Sequence, residues 1–356
     1  MPADGPLKEP AGFRDLGVWV PRRAAGEKPQ SRQPGRRSRV PLGGGLGLTP
    51  PAMAPLLEVE RLTTARVAGP VLVDGVSFTL EPGRMLGLVG ESGCGKSLTA
   101  LTIMGLLPPG LERRAGDTRI LGNPIGPADR GRQIAMVFQE PAAALNPVLT
   151  IGSQIAETLQ VHLGLDRRAS RDRAISLMRA VGIADAAERF DAWPHQLSGG
   201  MRQRVLIAAA IACDPRILIA DEPTTALDVT VQAQILALLT ELKRDRGLAV
   251  LLITHDLGVV AEACDDVAVM YAGRIVERGP VDQILLRPRH PYTAALLASR
   301  PGLSTRGRAL EAIAGAVPAP DQRPHGCSFA ERCSRKQPDC LTTDPHGDAF
   351  ACHHPL

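Results

Sequence analysis

The sequence predicts an α/β fold with a largely parallel sheet, an inserted helical subdomain and a small C-terminal extension. Short apolar strand candidates alternate with helical segments, which is typical of a parallel sheet covered on both faces. The segment at about 145–197 shows helical patterning without strands, which indicates a helical insertion. Four of the seven cysteines lie within residues 327–352, and this change of composition marks a separate extension.

The first segment, residues 1–55, is rich in Pro, Gly and Arg and shows neither a helical nor a strand period. This composition predicts disorder. Met53 lies directly before the first patterned segment, so the alternative is that translation begins there and that the preceding residues are not translated. The sequence leaves both interpretations open.

The patterned domain covers residues 56–280. Strands are predicted at 56–59, 71–80, 85–89, 134–138, 217–221, 249–254, 267–271 and 275–278. A helix is predicted at about 96–107, and another over 231–246, where Val231, Ile235 and Leu242 fall on one stripe. Gly247 supplies the C-terminal stop of that helix.

Composition limits the classes of function. Hydrophobic residues make up 44% of the 356 residues, which is enough for a sizeable core. The longest apolar run, 205–213, is about half as long as a membrane-crossing helix requires, so no span is expected. The net charge is +4 without a continuous basic face, so nucleic acid is not an expected partner. No secretion signal is visible, which favours the cytosol.

Residues 90–97 have the pattern G-x-x-x-x-G-K-S, follow a predicted strand and open a predicted helix. Backbone N–H groups in such a loop wrap around phosphates, and the helix N-terminus adds positive potential. We expect Lys96 to reach the β- and γ-phosphates and the Ser97 hydroxyl to ligate Mg²⁺. The predicted nucleotide-binding residues are Gly90, Glu91, Ser92, Gly93, Cys94, Gly95, Lys96 and Ser97.

A second pattern is an apolar strand, 217–221, that ends in the carboxylates Asp221 and Glu222. Sheets of this class collect ligands at the carboxyl ends of their strands. We expect Asp221 to hold magnesium through water, and Glu222 to orient or deprotonate the attacking water. A strand ending in Asp-Glu is common by itself, and it is the phosphate loop that makes this interpretation the expected one.

A third pattern, Leu197-Ser198-Gly199-Gly200-Met201-Arg202-Gln203, precedes an apolar helical run. A hydroxyl and glycine N–H groups at a helix N-terminus form an anion site. With this motif the chain resembles the ATP-binding-cassette (ABC) family, whose signature is LSGG-x-x-Q. The resemblance implies ATP hydrolysis with Mg²⁺. It also implies a dimer, because the family uses Ser198, Gly199 and Gly200 on the γ-phosphate held by the opposite subunit.

Other positions match the family one by one. Gln139, after strand 134–138, matches the glutamine that senses magnesium and signals to the membrane partner. Asp228 matches the loop that crosses the dimer interface, and His255 matches the switch histidine that contacts the γ-phosphate. The resemblance therefore implies Glu222, His255 and Gln139 as catalytic residues, and Ser97, Gln139 and Asp221 as the magnesium set.

The adenine contact departs from the family pattern. Importers of the family usually place an aromatic residue near the first strands, and by position it falls in 64–67, where the chain has none. Arg66 can stack on a base through its guanidinium plane. The adenine contact, and the preference for ATP over GTP, are left open.

Two segments indicate the branch of the family. Residues 139–147 resemble the Q-x-P-x-x-x-L-N-P run of peptide and nickel importer ATPases, and residues 290–297 resemble the HPYT-x-x-L-L element of oligopeptide and dipeptide permease ATPases. The resemblance covers about 56–352. It implies a peripheral subunit at the cytoplasmic face of the cell membrane that powers import of oligopeptides or dipeptides. Its implied partners are two transmembrane permease subunits, a second, distinct ABC ATPase and, indirectly, a solute-binding protein.

The solute can instead be nickel, a glycoside or an opine, because related importers share these motors. Soluble ABC ATPases of DNA repair separate the phosphate loop and signature by a long coiled coil, whereas about a hundred residues without heptads intervene here. Translation forms carry two cassettes, and this chain has one. A regulator that binds ATP without hydrolysis is opposed by Glu222 and His255.

The C-terminal extension, residues 281–356, holds a group of four cysteines: Cys327, Cys333, Cys340 and Cys352. In a cytosolic protein such a group favours a metal site over disulfides, and thiolates suit zinc or an iron–sulfur cluster. No C-x-x-C pair is present, which weakens the case for a zinc ribbon. Members of the peptide importer subfamily that this chain resembles carry a [4Fe-4S] cluster at such cysteines, so the resemblance implies a cluster here. One alternative is that the thiols bind no metal. Another is that His346, His353 or His354 serves as a metal ligand.

Overall fold

The computed structural model describes residues 55–299, 312–347 and 349–356. The segment 1–55, predicted to be disordered or untranslated, lies outside the described residues except for its last position. No helix in the described ranges is both long and apolar enough to cross a membrane.

Strands and helices alternate through most of the described chain. The strands are β1 (Leu57–Arg66), β2 (Val71–Leu80), β3 (Met85–Val89), β4 (Leu111–Ile120), β5 (Asn123–Pro124), β6 (Ile134–Val137), β7 (Ile217–Asp221), β8 (Ala249–Thr254), β9 (Asp266–Tyr271) and β10 (Arg274–Pro280). The helices are α1 (Lys96–Met104), α2 (Pro141–Ala144), α3 (Ile151–Leu163), α4 (Arg167–Ala180), α5 (Ala186–Arg189), α6 (Gly199–Ala210), α7 (Val229–Arg246), α8 (Leu257–Ala263), α9 (Val281–Leu286), α10 (Pro291–Ala298) and α11 (Asp339–Thr342).

The main sheet has six strands in the order β10-β9-β3-β8-β7-β6. All neighbours are parallel except β10, which runs antiparallel to β9. Strands β3, β7 and β8 are buried along their whole length, as expected when helices cover both faces. The predicted α/β fold with a parallel core is confirmed, and the carboxyl ends of β3, β7 and β8 meet at one edge.

A second sheet was not predicted. It has four antiparallel strands in the order β2-β1-β4-β5. Strand β4 escaped the sequence pattern because only Thr118 and Ile120 of its residues are buried, so it lacks the apolar run by which the buried strands are recognised. This sheet packs its apolar side chains, among them Leu57, Phe78 and Ile120, into one cluster with residues of β3 and α1.

Helices α2 to α6 lie between β6 and β7, where the described chain forms no strand. Helix α3 is capped by Thr150, whose hydroxyl accepts a hydrogen bond from Ser153 N–H, and α4 is capped by Asp166, which accepts one from Ala169 N–H. Ile155 and Leu177 pack in the same apolar cluster as residues of β7 and β8. The helical segment is therefore packed against the parallel sheet.

The C-terminal segment packs beside β9 and β10. Helix α10 starts with a His290 cap, since the Nδ1 atom accepts a hydrogen bond from Tyr292 N–H at 3.0 Å. Tyr292, Phe329 and Tyr271 form a buried aromatic group with ring centroids 4.6 to 5.3 Å apart. This group joins the extension to the end of β9, next to the phosphate loop.

Candidate functional site

The phosphate loop connects β3 to α1 and depends on its glycines. Gly90 has φ of 158°, and a Cβ at this position would lie 2.1 Å from the Met270 carbonyl oxygen. Gly95, the residue before α1, has φ of 105°. Side chains at these two positions would clash or strain the backbone, so the sequence pattern follows from the close passage of the loop over β9.

Lys96 is held inside the loop that it follows. Its Nζ atom donates to the backbone oxygens of Gly90, at 2.9 Å, and Glu91, at 3.1 Å, and the residue is only 5% exposed. The neighbouring Ser97 hydroxyl donates to Asp221 Oδ1 at 3.0 Å. The loop and the end of β7 thus place an ammonium group, a hydroxyl and a carboxylate at one edge of the sheet.

Asp221 and Glu222 lie side by side but differ in acidity. Burial raises the pKa of Asp221 above its usual range, although the hydrogen bond from Ser97 opposes this shift. Burial also raises the pKa of Glu222, but hydrogen bonds from Thr225 and His255 outweigh it and leave that pKa below its usual range. Glu222 is therefore a stable carboxylate at neutral pH, suited to accept a hydrogen bond from water.

Three side chains converge on the Glu222 carboxylate. Gln139 Nε2 donates to Oε2 at 3.0 Å, Thr225 Oγ1 donates to the same oxygen at 2.7 Å, and His255 Nδ1 lies 3.2 Å from Oε1. Glu222 itself has φ of 44°, a strained value for a residue with a side chain. The structure therefore brings together the three residues predicted to be catalytic.

Thr225 was missed by the sequence analysis. It follows Glu222 by three residues in the turn after β7, and its backbone N–H donates to the Glu222 carbonyl oxygen at 3.2 Å. A signal was present, because a Thr three residues after a strand-ending Glu can bond back across a tight turn. Hydroxyl donation to the carboxylate depends on the positive φ of Glu222, which the sequence does not reveal.

The predicted anion site of the signature lies apart from the phosphate loop within this chain. Ser198 caps α6, and its Oγ accepts a hydrogen bond from Met201 N–H at 3.3 Å. Ser198 and Gly199 are exposed, whereas Gly200 is buried against Val231. Asp228 caps α7 in the same way and is also exposed. These residues are presented outward and reach no residue of 90–97 by a hydrogen bond in the described structure.

Arg66 ends β1 and is exposed, next to Val67, which is 59% exposed. Its backbone oxygen accepts hydrogen bonds from Gly69 N–H and from Arg114. The guanidinium group has no partner among the hydrogen bonds of the described residues. Stacking of Arg66 on adenine stays a prediction.

None of the four C-terminal cysteines forms a disulfide with a described residue, and all four line one cavity together with His290, Phe329 and His354. Burial and the neighbouring thiols raise the pKa of Cys327 to about 11. Among the described residues, the one set of three ligand groups within 4.8 Å of one another is Asp339, Cys340 and His354. No three of the four sulfurs therefore lie within 4.8 Å of one another, whereas four thiolates around one zinc ion lie about 3.8 Å apart.

The alternative histidine ligands differ in position. His354 and His353 both line the cavity of the cysteines, and their Nε2 atoms contact the Asp339 carboxylate at 2.8 Å and the Thr343 carbonyl oxygen at 2.9 Å. His346 lines a different cavity, beside Asp74 and Arg274. The structure thus separates His346 from the cysteine group.

Comparison with known proteins gives consistent matches. The family model described as "ABC transporter" matches residues 73–225, and the model described as "Oligopeptide/dipeptide transporter, C-terminal region" matches residues 276–340. A putative peptide import ATP-binding protein of Brucella abortus is 52% identical over 302 residues, which cover 82% of this chain and 91% of that protein. The dipeptide transport ATP-binding protein DppD of Escherichia coli is 46% identical, with 80% and 91% covered.

The fold also matches solved structures. The ATP-binding cassette MJ0796, solved as a dimer in a post-hydrolysis state bound to ADP and Pi, aligns with a TM-score of 0.56 and 27% identity. The alignment covers 63% of this chain and 98% of that one. The matched part is therefore an entire cassette, and the remaining residues of this chain lie outside it.

Proposed function

Because the chain belongs to the ABC transporter family, and within it to the oligopeptide and dipeptide transporter branch, we propose that it is the ATP-hydrolysing subunit that powers import of short peptides. The observation that carries the proposal is the convergence of Gln139, Thr225 and His255 on the Glu222 carboxylate beside the phosphate loop. The peptide solute is supported by the C-terminal region that this chain shares with peptide import relatives.

The residues around the loop fit ATP with magnesium. The Ser97 hydroxyl and the Asp221 carboxylate already contact each other, and such oxygen ligands are those that Mg²⁺ prefers. The ion would be held by Ser97, Asp221 and Gln139, and it would neutralise negative charge on the phosphates. Lys96 would move from the loop carbonyls to the β- and γ-phosphates, and the loop N–H groups would hold the phosphate oxygens.

Hydrolysis then depends on Glu222. Its carboxylate is held by hydrogen bonds from Thr225 and Gln139, and it would accept a proton from the water that attacks the γ-phosphate. His255 is 57% exposed at the same carboxylate, which leaves its ring free to contact the transferred phosphate. Preorganisation of these groups is the main contribution of the protein to this chemistry.

The exposed signature residues favour a dimer as the active form. Ser198 and Gly199 present a hydroxyl and N–H groups at the start of α6, and a γ-phosphate bound by a second cassette is the complementary anion. Val229, beside Asp228, is 83% exposed, consistent with burial against that second cassette. The partner would be a related but distinct ABC ATPase, with two ATP molecules between the cassettes.

Exposed apolar side chains mark where permease subunits would dock. Phe138 is 42% exposed and precedes Gln139 directly, and Val148 and Leu149, which precede α3, are 71% and 39% exposed. A permease segment seated there would contact the residue next to Gln139, which bonds to Glu222. Docking would then influence the hydrolytic carboxylate, and would hold the chain peripherally at the cytoplasmic face of the membrane.

Co-purification tests this proposal. A tagged chain carrying Glu222→Gln, isolated from membranes with ATP and magnesium, should retain two multi-spanning subunits and a second ABC ATPase, identified by mass spectrometry. A peptide-binding solute protein associated with the same subunits would support peptide import. A nickel-binding protein in its place would show that the imported solute is nickel and not a peptide. Recovery of ribosomes or DNA-repair factors would refute the importer function but not the ATPase activity.

Two observations support a multi-iron cluster over a single zinc ion: all four sulfurs line one cavity, and no three of them lie within 4.8 Å of one another. Cys327, Cys333, Cys340 and Cys352 would ligate a [4Fe-4S] cluster. Its role here would be structural, since the extension after residue 312 has few buried apolar residues of its own.

Replacing Cys327 by Ser should reduce iron and sulfide per chain and lower the Tm by roughly 3 °C, because one ligand to the buried cluster is lost. The measurement is metal analysis and thermal unfolding of the full chain purified without oxygen. Cys213→Ser is the matched control, because Cys213 lies outside the cavity. A wild-type chain that contains stoichiometric zinc, or no metal, would contradict the cluster.

A further inference from the structure

The C-terminal extension contacts the phosphate loop through two side chains, and we propose that these residues, Tyr292 and Arg332, position the loop for nucleotide binding. Both act on a single loop residue, Glu91. This role goes beyond peptide import, because it depends only on ATP binding by this chain. It also gives a physical task to the HPYT element, which the hydrolytic site does not use.

Tyr292 supports the loop from its buried position in the aromatic group. Its hydroxyl oxygen accepts a hydrogen bond from the Glu91 backbone N–H at 3.0 Å, and the residue is 0% exposed. Two features of the HPYT element fix it: the His290 ring caps α10 by accepting from Tyr292 N–H, and Pro291 occupies the first helical turn. The phenol is thus aimed at the loop by local helix geometry.

Arg332 supports the loop through the Glu91 side chain. Its Nη1 donates to Glu91 Oε2 at 2.9 Å and to Tyr271 Oη at 3.3 Å. Its Nε and Nη2 donate to the backbone oxygens of Ala314, at 2.8 Å, and Ile313, at 3.2 Å. The side chain is 6% exposed. Because each nitrogen is hydrogen-bonded, the guanidinium group is fixed relative to both the extension and Glu91 of the loop.

Glu91 connects these contacts to the nucleotide site. Its backbone N–H is held by Tyr292, its carboxylate is held by Arg332, and its carbonyl oxygen accepts the Lys96 ammonium at 3.1 Å. Its other carboxylate oxygen, Oε1, is buried without a hydrogen-bond partner. The Glu91 side chain is 25% exposed, so loss of Arg332 would leave a partly buried carboxylate without its ion-pair partner. The loop would then shift to bring Oε1 into contact with water.

The expected consequence is weaker nucleotide binding. Arg332→Met keeps the apolar stem of the side chain but removes the ion pair, and it should raise the Kd and KM for ATP about tenfold, because phosphate contacts depend on loop geometry. Tyr292→Phe removes only a hydroxyl and should raise both constants about fivefold. Arg332→Lys should restore part of the affinity, because it restores the charge without the fork of donors.

Titration of the purified full chain with ATP, together with steady-state ATP hydrolysis, tests this inference. The matched control is Arg171→Met on α4, because Arg171 also pairs with a carboxylate, that of Asp191. This control should keep the wild-type Kd. Thermal unfolding of each variant establishes that it is folded at the assay temperature.

A double variant shows whether Arg332 acts through Glu91. If it does, Glu91→Gln combined with Arg332→Met should bind ATP no more weakly than Glu91→Gln alone. Additive losses would overturn this route, and a wild-type Kd in folded Arg332→Met and Tyr292→Phe would overturn the positioning role altogether. If Arg332→Met fails to fold, Tyr292→Phe decides the question, since it retains the buried ring.

Discussion

Replacing Glu222 by Gln is expected to lower the rate of ATP hydrolysis about a thousandfold while ATP binding is retained, because an amide cannot accept the proton of the attacking water. The amide can keep the local geometry. Its oxygen can accept from Thr225 and Gln139, and its NH₂ group can face His255 Nδ1. Phosphate release from the full chain and direct ATP titration measure the two effects separately.

Glu241→Gln provides the control for this prediction, because Glu241 is an exposed carboxylate on α7. It should hydrolyse ATP at the wild-type rate. Mixed with its partner ABC ATPase, the Glu222 variant should also form an ATP-dependent dimer that is visible by size-exclusion chromatography, since its bound ATP is no longer consumed. More than about a tenth of wild-type activity in this variant would show that another group takes the proton.

Replacing Lys96 by Met should weaken ATP binding on the order of a hundredfold, because a buried ammonium group that bonds to phosphate is lost. Lys96 is 5% exposed, and its bonds to the Gly90 and Glu91 carbonyl oxygens show that it already points into the loop. Equilibrium binding of ATP to the full chain, with and without magnesium, is the measurement.

Lys336→Met is the matched control, since Lys336 is an exposed lysine of the extension. Its ATP affinity should not change. In the size-exclusion assay, only the Glu222 variant should form the dimer, because the Lys96 variant does not bind the ATP that bridges two cassettes. A Lys96 variant that binds ATP like the wild type would remove this residue from the nucleotide site.

For several strands of the main sheet, the first and last residues could be predicted from the sequence as they are observed. Those at 85–89, 217–221 and 249–254 are buried on both faces, so each appears as a short, continuous apolar run. Strand β4 could not be found in this way, since most of its side chains face solvent. Its place is decided by pairing with β1, a long-range contact without a local signal.

The functional residues likewise divide into those with a local sequence signal and those without one. The phosphate loop, the carboxylates at the end of β7 and the signature are visible in the sequence because each depends on local geometry: a glycine turn, a strand end, a helix cap. The C-terminal cysteines were visible by composition, although their spacing does not say that His346 lies in another cavity.

By itself, the sequence determined the parallel core and the family of the chain, and it predicted the residues of the nucleotide site, because these follow from short-range patterns. Only the tertiary structure decided which side chains meet. Thr225 reaches Glu222 through a strained backbone. Arg332 reaches Glu91 across 241 positions of sequence. The first contact depends on the local backbone conformation at Glu222. The second depends on how separately formed elements pack together, and the spacing of residues along a chain carries no record of that packing.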